Sequence, residues 1–162
     1  MLRRLRETAP AALVPLAWTV VAAAHADAVT ARAIFVAHVV MSLFLTTFVV
    51  TGWREMADGV LRTWRTIITA GLGVTLLGVT GFVVDTTPLL AVSLYAWMVL
   101  PAFGLLYTGR AVGDPAPAYL AGGAVALLGP VVYATTPSLT LPALTLVGVG
   151  QTAGIVDAVV RY

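Results

Sequence analysis

The sequence predicts an all-α integral membrane protein, a bundle of six transmembrane helices. The composition, the spacing of the apolar runs and the one-sided distribution of arginine all predict this fold class. Of the 162 residues, 60% are hydrophobic and 10% are charged, whereas soluble domains carry about 25% charged residues. The mean hydropathy is +0.98. A soluble fold of this size could not hide so much apolar surface, so the hydrocarbon core of a bilayer is the solvent that fits.

Six apolar runs are long enough to span a bilayer. A spanning helix needs about 20 predominantly apolar residues, and prolines inside such helices are tolerated because neighbouring groups satisfy the freed carbonyls. We therefore predict one membrane domain, residues 1–162, with spans at about 9–26, 29–52, 64–84, 88–107, 116–135 and 138–160.

Each span has its own justification. The first is short and holds Pro15, and the second is apolar up to Gly52. The third, fourth and fifth end at polar clusters rich in Asp, Thr, Gly and Pro, through which a helix does not continue. The sixth begins after the last cluster and runs almost to the end of the chain. The clusters are residues 85–88, 113–115 and 135–138, and the fourth and fifth spans hold Pro101 and Pro130.

The arginines predict the orientation. With six spans, eight of the nine Arg fall on one side of the membrane and only Arg32 falls on the other. By the positive-inside rule the arginine-rich side is cytoplasmic. We therefore expect a plasma-membrane protein with both termini in the cytoplasm. The eight are Arg3, Arg4, Arg6, Arg54, Arg62, Arg65, Arg110 and Arg161.

Three alternatives stay open at this level. The basic start, the apolar stretch to Ala24 and the sequence Ala24-His25-Ala26 also fit a secretory signal, whose cleavage would leave five spans. Residues 73–88 and 123–137 share a Gly-bearing helix followed by a Thr-Thr-Pro turn, so the bundle is alternatively three tandem helical hairpins. Residues 53–65 fit either a short amphipathic helix in the membrane interface or a charged loop.

His38 is the first candidate functional residue. It lies about ten residues into the second span, which is roughly 15 Å from the outer end at 1.5 Å per residue. Ser42 and Thr46 follow on the same helix face. The three could line a polar pathway or relay protons. The structural alternative is a neutral His bonded to a carbonyl of a neighbouring helix, with both hydroxyls bonded back to their own helix.

Asp157 and Gln151 are the second pair of candidates. Gly150 and Gly154 form a GxxxG motif, which permits close helix contact, and Asp157 follows on the same face. Asp157 could be a proton or cation site, with Gln151 deeper in the span. The structural alternative is an ion pair between Asp157 and Arg161 at i, i+4.

The sequence predicts no cofactor and no metal site. His25 and Asp27 lie at the outer end of the first span, and His25 differs in depth from His38 by about 10 Å, so the two histidines do not fit a shared haem. A haem held by His38 and Met98 is a weaker alternative. Cysteine is absent, which excludes disulfides and thiolate sites. Phosphate-binding loops and hydrolase motifs are also absent.

Three functions fit these observations. The first is a transporter or channel for a small solute or ion. The second is a non-catalytic anchor or assembly subunit of a larger complex, and the third is a haem or redox membrane protein. We expect contact with the lipid bilayer and either homo-oligomers or a membrane-complex partner. Nucleic acid is not an expected partner, because the basic residues form one membrane face.

Overall fold

The computed structural model describes residues 2–112 and 116–161, and for residues 2–10 and 161 it describes the backbone only. The turn predicted at 113–115 lies outside the described residues. Within them the chain is all-helical, with one short 3₁₀ turn at Pro137–Leu139. The six α-helices are α1 (Leu2–His25), α2 (Ala31–Gly52), α3 (Gly59–Val83), α4 (Thr87–Ala111), α5 (Pro117–Thr135) and α6 (Thr140–Arg161).

The six α-helices and the absence of strands in the described residues agree with a helical membrane bundle, which confirms the predicted fold class. In the part of the chain that is described, five segments are long and apolar enough to cross a membrane: α2 to α5, and α6 with its preceding turn. The apolar part of α1 is shorter, Ala11–His25. Large apolar side chains are exposed along the helices, for example Leu43 at 65% and Phe103 at 58%. Such surfaces imply contact with lipid.

The chain forms two compact units, which are described separately below. Unit 1 contains residues 1–29 and 101–162, and unit 2 contains residues 30–100. The division falls inside α4, immediately before Pro101, although the helix continues through this residue. Proline has no amide hydrogen for the carbonyl four residues earlier. Because α1 belongs with α5 and α6, the units do not follow three successive hairpins.

Two helices end on an aspartate in the left-handed backbone region. Asp27 follows α1 with φ 53°, and Asp85 follows α3 with φ 51°. At each end a later amide bonds back across the last turn, from Ala28 to the Ala23 carbonyl (2.8 Å) and from Thr86 to the Gly81 carbonyl (2.8 Å). Asp tolerates this conformation better than most residues with a side chain. The polar clusters therefore end these helices by a specific local geometry.

Residues 53–65, for which the sequence left two interpretations, divide between a charged loop at 53–58 and the first turns of α3 at 59–65. Turns and bends occupy 53–58, and α3 begins at Gly59 with φ 55°. The guanidinium of Arg65 lies 4.4 Å from the ring centroid of Trp53. Its Nη1 donates to the Trp53 carbonyl at 3.1 Å. This cation–π contact and hydrogen bond fasten the end of α2 to the start of α3.

In unit 1, helices α5 and α6 pack backbone to backbone. A Cβ placed on Gly122 would collide with the Gly150 carbonyl oxygen, and a Cβ on Gly150 would lie 2.7 Å from the Ala126 amide nitrogen. A Cβ on Gly129 would lie 2.8 Å from the Ala143 carbonyl oxygen. As residue numbers increase along α5, the residues that they contact in α6 have decreasing numbers, so the two helices are antiparallel. The GxxxG glycine Gly150 thus permits close helix contact, as predicted.

Candidate functional site

The candidate site lies in unit 2 and is built around His38 of α2. Its Nδ1 lies 3.0 Å from the carbonyl oxygen of Ile34 in the same helix. A carbonyl oxygen only accepts, so Nδ1 carries the hydrogen and the neutral ring leaves Nε2 as an acceptor. Phe82 of α3 contacts the ring, with centroids 5.3 Å apart and planes at 70°. The contacts with Ile34 and Phe82 therefore set the orientation of the imidazole ring.

The Nε2 edge of His38 and the hydroxyl of Ser93 of α4 both face Gly78 of α3. The position of a Cβ on Gly78 lies 2.9 Å from His38 Nε2 and 2.8 Å from Ser93 Oγ. Both polar atoms therefore lie within 3 Å of one point beside the α3 backbone. Any side chain at position 78 would occupy that point, so the glycine leaves room for both groups.

Ser93 differs from most hydroxyl residues in these helices. Serine and threonine in a helix commonly donate to the carbonyl four residues earlier, and Ser42, Thr75 and Thr108 do so at 2.7–2.8 Å. Ser93 is 2% exposed, and its Oγ makes no hydrogen bond. A buried polar group without a partner is costly and needs an explanation. Nε2 of His38 is a polar atom that, like Ser93 Oγ, faces Gly78.

A second set of polar groups lies one helical turn away from the first, on the same three helices α2, α3 and α4. Trp97 Nε1 of α4 donates to Thr75 Oγ1 of α3 at 2.9 Å, and Thr75 is 1% exposed. The indole ring of Trp97 packs against Gly71, and its Cη2 would lie 2.7 Å from a Cβ at that position. Ser42 of α2, 8% exposed, occupies the corresponding turn of its helix. Unit 2 therefore carries buried polar groups on two successive turns.

Three details differ from the sequence expectation for the stripe on α2. The His38 ring bonds to its own helix and not to a neighbouring one. Thr46 is exposed, while its hydroxyl donates to the Ser42 carbonyl at 2.7 Å, as the structural alternative predicted. His38 lies seven residues after Ala31, the start of α2, which is about 10 Å along the helix axis and short of the midplane of a 30 Å core. The helix begins at Ala31 because the Thr30 hydroxyl caps it.

Gln151 lies in unit 1, whereas His38 lies in unit 2. Its side-chain oxygen accepts a hydrogen bond from Trp18 Nε1 at 2.9 Å, and Gln151 is 2% exposed. The Trp18 ring packs over Gly148, with its Cβ 3.0 Å from the position of a Cβ on that glycine. This geometry joins α1 to α6 and gives Gln151 a clear packing role.

Asp157 is half-buried near the end of α6. The side chain of Arg161 lies outside the described residues, so the predicted ion pair between the two stays a prediction. Asp157 also belongs to unit 1. The sequence candidates thus fall into two groups, with His38, Ser42 and Thr46 in one unit and Gln151 and Asp157 in the other.

The remaining histidine has a local role. His25 Nδ1 lies 2.9 Å from the Val21 carbonyl oxygen, and its Nε2 lies 2.8 Å from the Tyr133 hydroxyl. Among the described residues, no group of three His, Cys, Asp or Glu side chains could hold a metal ion. Met98 has no exposed surface.

Ser93 and Gly78 complete the site, and neither was among the sequence candidates. Ser93 stands alone in an apolar run, and Gly78 is one of several glycines in α3. A sequence signal does exist, because Ser93 and Trp97 are four residues apart and so share one face of α4. The signal is weak without knowing which face of α3 they meet.

Comparisons with known proteins add nothing to this geometry. No protein-family model, no curated protein and no solved structure matches the chain.

Proposed function

We propose that this protein transports a small solute or ion across a membrane, and that the His38–Ser93 pair lies on its pathway. The observation that carries the proposal is the buried, unpartnered Ser93 hydroxyl beside the acceptor nitrogen of His38. Polar groups are expensive at membrane depth, and ionisable residues there, histidine included, mark ion or solute pathways. The second set, with Ser42 and Thr75, extends the polar groups along the helices.

A flux assay with purified protein in liposomes tests the function. We expect His38→Ala to lower the transported flux at least about tenfold, since the loss of one essential transition-state contact costs more than 1.4 kcal/mol. The assay screens protons, Na⁺, K⁺, Cl⁻ and small neutral solutes. His25→Ala is the matched control, because His25 is an exposed histidine bonded to Tyr133 and lies in unit 1. It should keep wild-type flux.

Equal flux in the His38→Ala variant and the wild type would remove the pair from the mechanism. No protein-dependent flux of any probe would favour the second candidate, a membrane anchor or assembly subunit. One observation supports that candidate: only 11% of the apolar window of α2 is buried, against 28–33% for α3 to α6. In that case the complex in mild detergent should be larger than one chain, with a second copy or a partner against α2.

The orientation is part of the same proposal. We infer that both termini and the α2–α3 loop face the cytoplasm, on the strength of the arginine distribution. The chain has no cysteine, so a thiol reagent labels a single-cysteine variant only at the introduced residue. A membrane-impermeant maleimide added to intact cells should label Ser138→Cys, before α6, and spare Ala57→Cys, in the loop. Both positions are exposed. The reverse labelling would place the termini outside.

A further inference from the structure

We infer that the end of α2 binds a phospholipid whose headgroup carries a primary amine, phosphatidylethanolamine. Arg54 pairs with the lipid phosphate, Glu55 accepts hydrogen bonds from the ammonium group, and an acyl chain lies along Val50. These residues lie outside the His38 group, so the lipid site is independent of the transport proposal. Four properties of this end of α2 support it: a cavity, its depth in the membrane, the charges that line it and the contacts that hold its wall.

An open cavity of about 540 Å³ lies at the end of α2, within unit 2. Its volume falls within the range of small-molecule sites in proteins, about 300–1,000 Å³. The part of the lining that belongs to the helix is mainly apolar, with Val50 71% exposed. The part that belongs to the following loop carries two exposed charges, Arg54 and Glu55. The described residues that line the cavity are Val49, Val50, Thr51, Trp53, Arg54 and Glu55.

The cavity lies at the depth where a lipid changes from acyl chain to headgroup. Helix α2 contains 22 residues, which rise about 33 Å at 1.5 Å per residue and so cover a hydrocarbon core of about 30 Å. Val49 and Val50 belong to the last turn of this helix, and the loop follows its end at Gly52. Trp53, 49% exposed, is the kind of side chain that lies at headgroup level. The valines therefore face acyl chain, while the charged residues face the headgroup.

The two charges in the lining favour a zwitterionic headgroup with a primary amine. The Arg54 guanidinium suits a phosphate, because its N–H donors match the phosphate oxygens. The Glu55 carboxylate only accepts hydrogen bonds, which a primary ammonium donates. An anionic headgroup without an amine would bring a negative charge beside Glu55 with no cation of its own to offset the repulsion.

The aromatic lining favours ethanolamine over choline. A quaternary ammonium has no N–H to donate, and proteins usually hold it in a cage of aromatic rings. Trp53 is the aromatic residue among the described lining residues. One face of its ring already carries the Arg65 guanidinium, 4.4 Å from the ring centroid. The cavity therefore lacks an aromatic cage among its described residues and offers a carboxylate to the lipid amine instead.

Contacts on both sides of Arg54 and Glu55 hold the wall of the cavity. The Met56 amide donates to the Gly52 carbonyl at 2.9 Å, and the Met56 side chain packs on Gly52, with its Cε 2.7 Å from the position of a Cβ there. Arg65 Nη1 donates to the Trp53 carbonyl at 3.1 Å. Because the loop backbone is already held, a lipid has little of it to order on binding, which favours affinity.

Native mass spectrometry of the delipidated protein in detergent measures lipid binding. The probes are palmitoyl-oleoyl phosphatidylethanolamine, phosphatidylcholine and phosphatidylglycerol, each titrated separately. We expect the ethanolamine lipid to bind about fivefold more tightly than the other two, the factor that one exposed ion pair supplies. Arg54→Gln should weaken the binding of all three about fivefold, because each of them has the phosphate.

Two further variants separate the proposed contacts from general effects on the protein. Glu55→Gln should lower the affinity for the ethanolamine lipid to that for the choline lipid and leave the choline lipid unchanged, whereas a disturbed loop would weaken both. Arg62→Gln is the matched control, because Arg62 is an exposed arginine of α3 in the same unit and is not part of the cavity lining. It should bind the ethanolamine lipid as the wild type does.

Three results would overturn the lipid site. A preference for phosphatidylglycerol would show that positive charge alone selects the lipid. Equal binding of the three lipids, or equal effects of Arg54→Gln and Arg62→Gln, would show that lipids contact the protein without using this cavity. Weaker binding of the choline lipid in Glu55→Gln, by the same factor as the ethanolamine lipid, would remove the contact between Glu55 and the amine.

Discussion

Gly150→Ala is expected to destabilise the folded protein by about 2–3 kcal/mol, the upper part of the usual range for overpacking a core. The added methyl would lie 2.7 Å from the Ala126 amide nitrogen and would collide with the Gly122 carbonyl oxygen. Both obstacles are backbone atoms. They cannot rotate away as a side chain would, so α5 and α6 must separate along their contact.

The sign of the change in unfolding free energy distinguishes the α5–α6 backbone contact from the general preference of helices for alanine over glycine. Gly73→Ala adds the same methyl to α3 at an exposed position with nothing within 4 Å. Alanine is favoured over glycine inside a helix by roughly 0.5–1 kcal/mol, so this control should be slightly more stable than wild type. Reversible unfolding in lipid bicelles measures both. Equal stability of the two variants would show that α5 and α6 are not in backbone contact at Gly150.

Gln151→Leu is expected to cost about 1–2 kcal/mol of unfolding free energy, the usual range for a buried donor left without its acceptor and for hydrogen bonds between membrane helices. Leucine fills a similar volume and cannot accept from Trp18 Nε1, which lies 2.9 Å from the glutamine oxygen. Trp18 is 8% exposed, so water does not replace the lost acceptor. The same unfolding assay measures the loss.

A double-mutant cycle isolates this hydrogen bond from the packing around it. Trp18→Phe removes the indole donor and leaves the glutamine, and the double variant removes both polar partners. Because neither orphaned group remains in the double variant, its cost should fall below the sum of the two single costs by 0.5 kcal/mol or more. Simple additivity would show that Trp18 and Gln151 stabilise the protein independently.

Local chemistry made the helices predictable from the sequence. Apolar runs need a length set by the bilayer, and the Asp, Thr, Gly and Pro clusters stop them. The structure accordingly has six α-helices. At residues 53–65, where two local patterns competed, residues 53–58 form turns and bends and residues 59–65 belong to α3. The polar stripe on α2 was also readable, because residues four apart share a face of any α-helix.

The tertiary structure alone decided which side chains meet. Ser93 and His38 both face Gly78 of α3, and Gln151 accepts a hydrogen bond from Trp18 of the distant α1. In a soluble protein the apolar face of a helix identifies its buried side. Lipid tails are as apolar as leucine, so hydropathy does not distinguish a lipid-facing side of these helices from a buried one. The sequence therefore determined the helices and their order, while helix rotation and close packing at glycines determined the site.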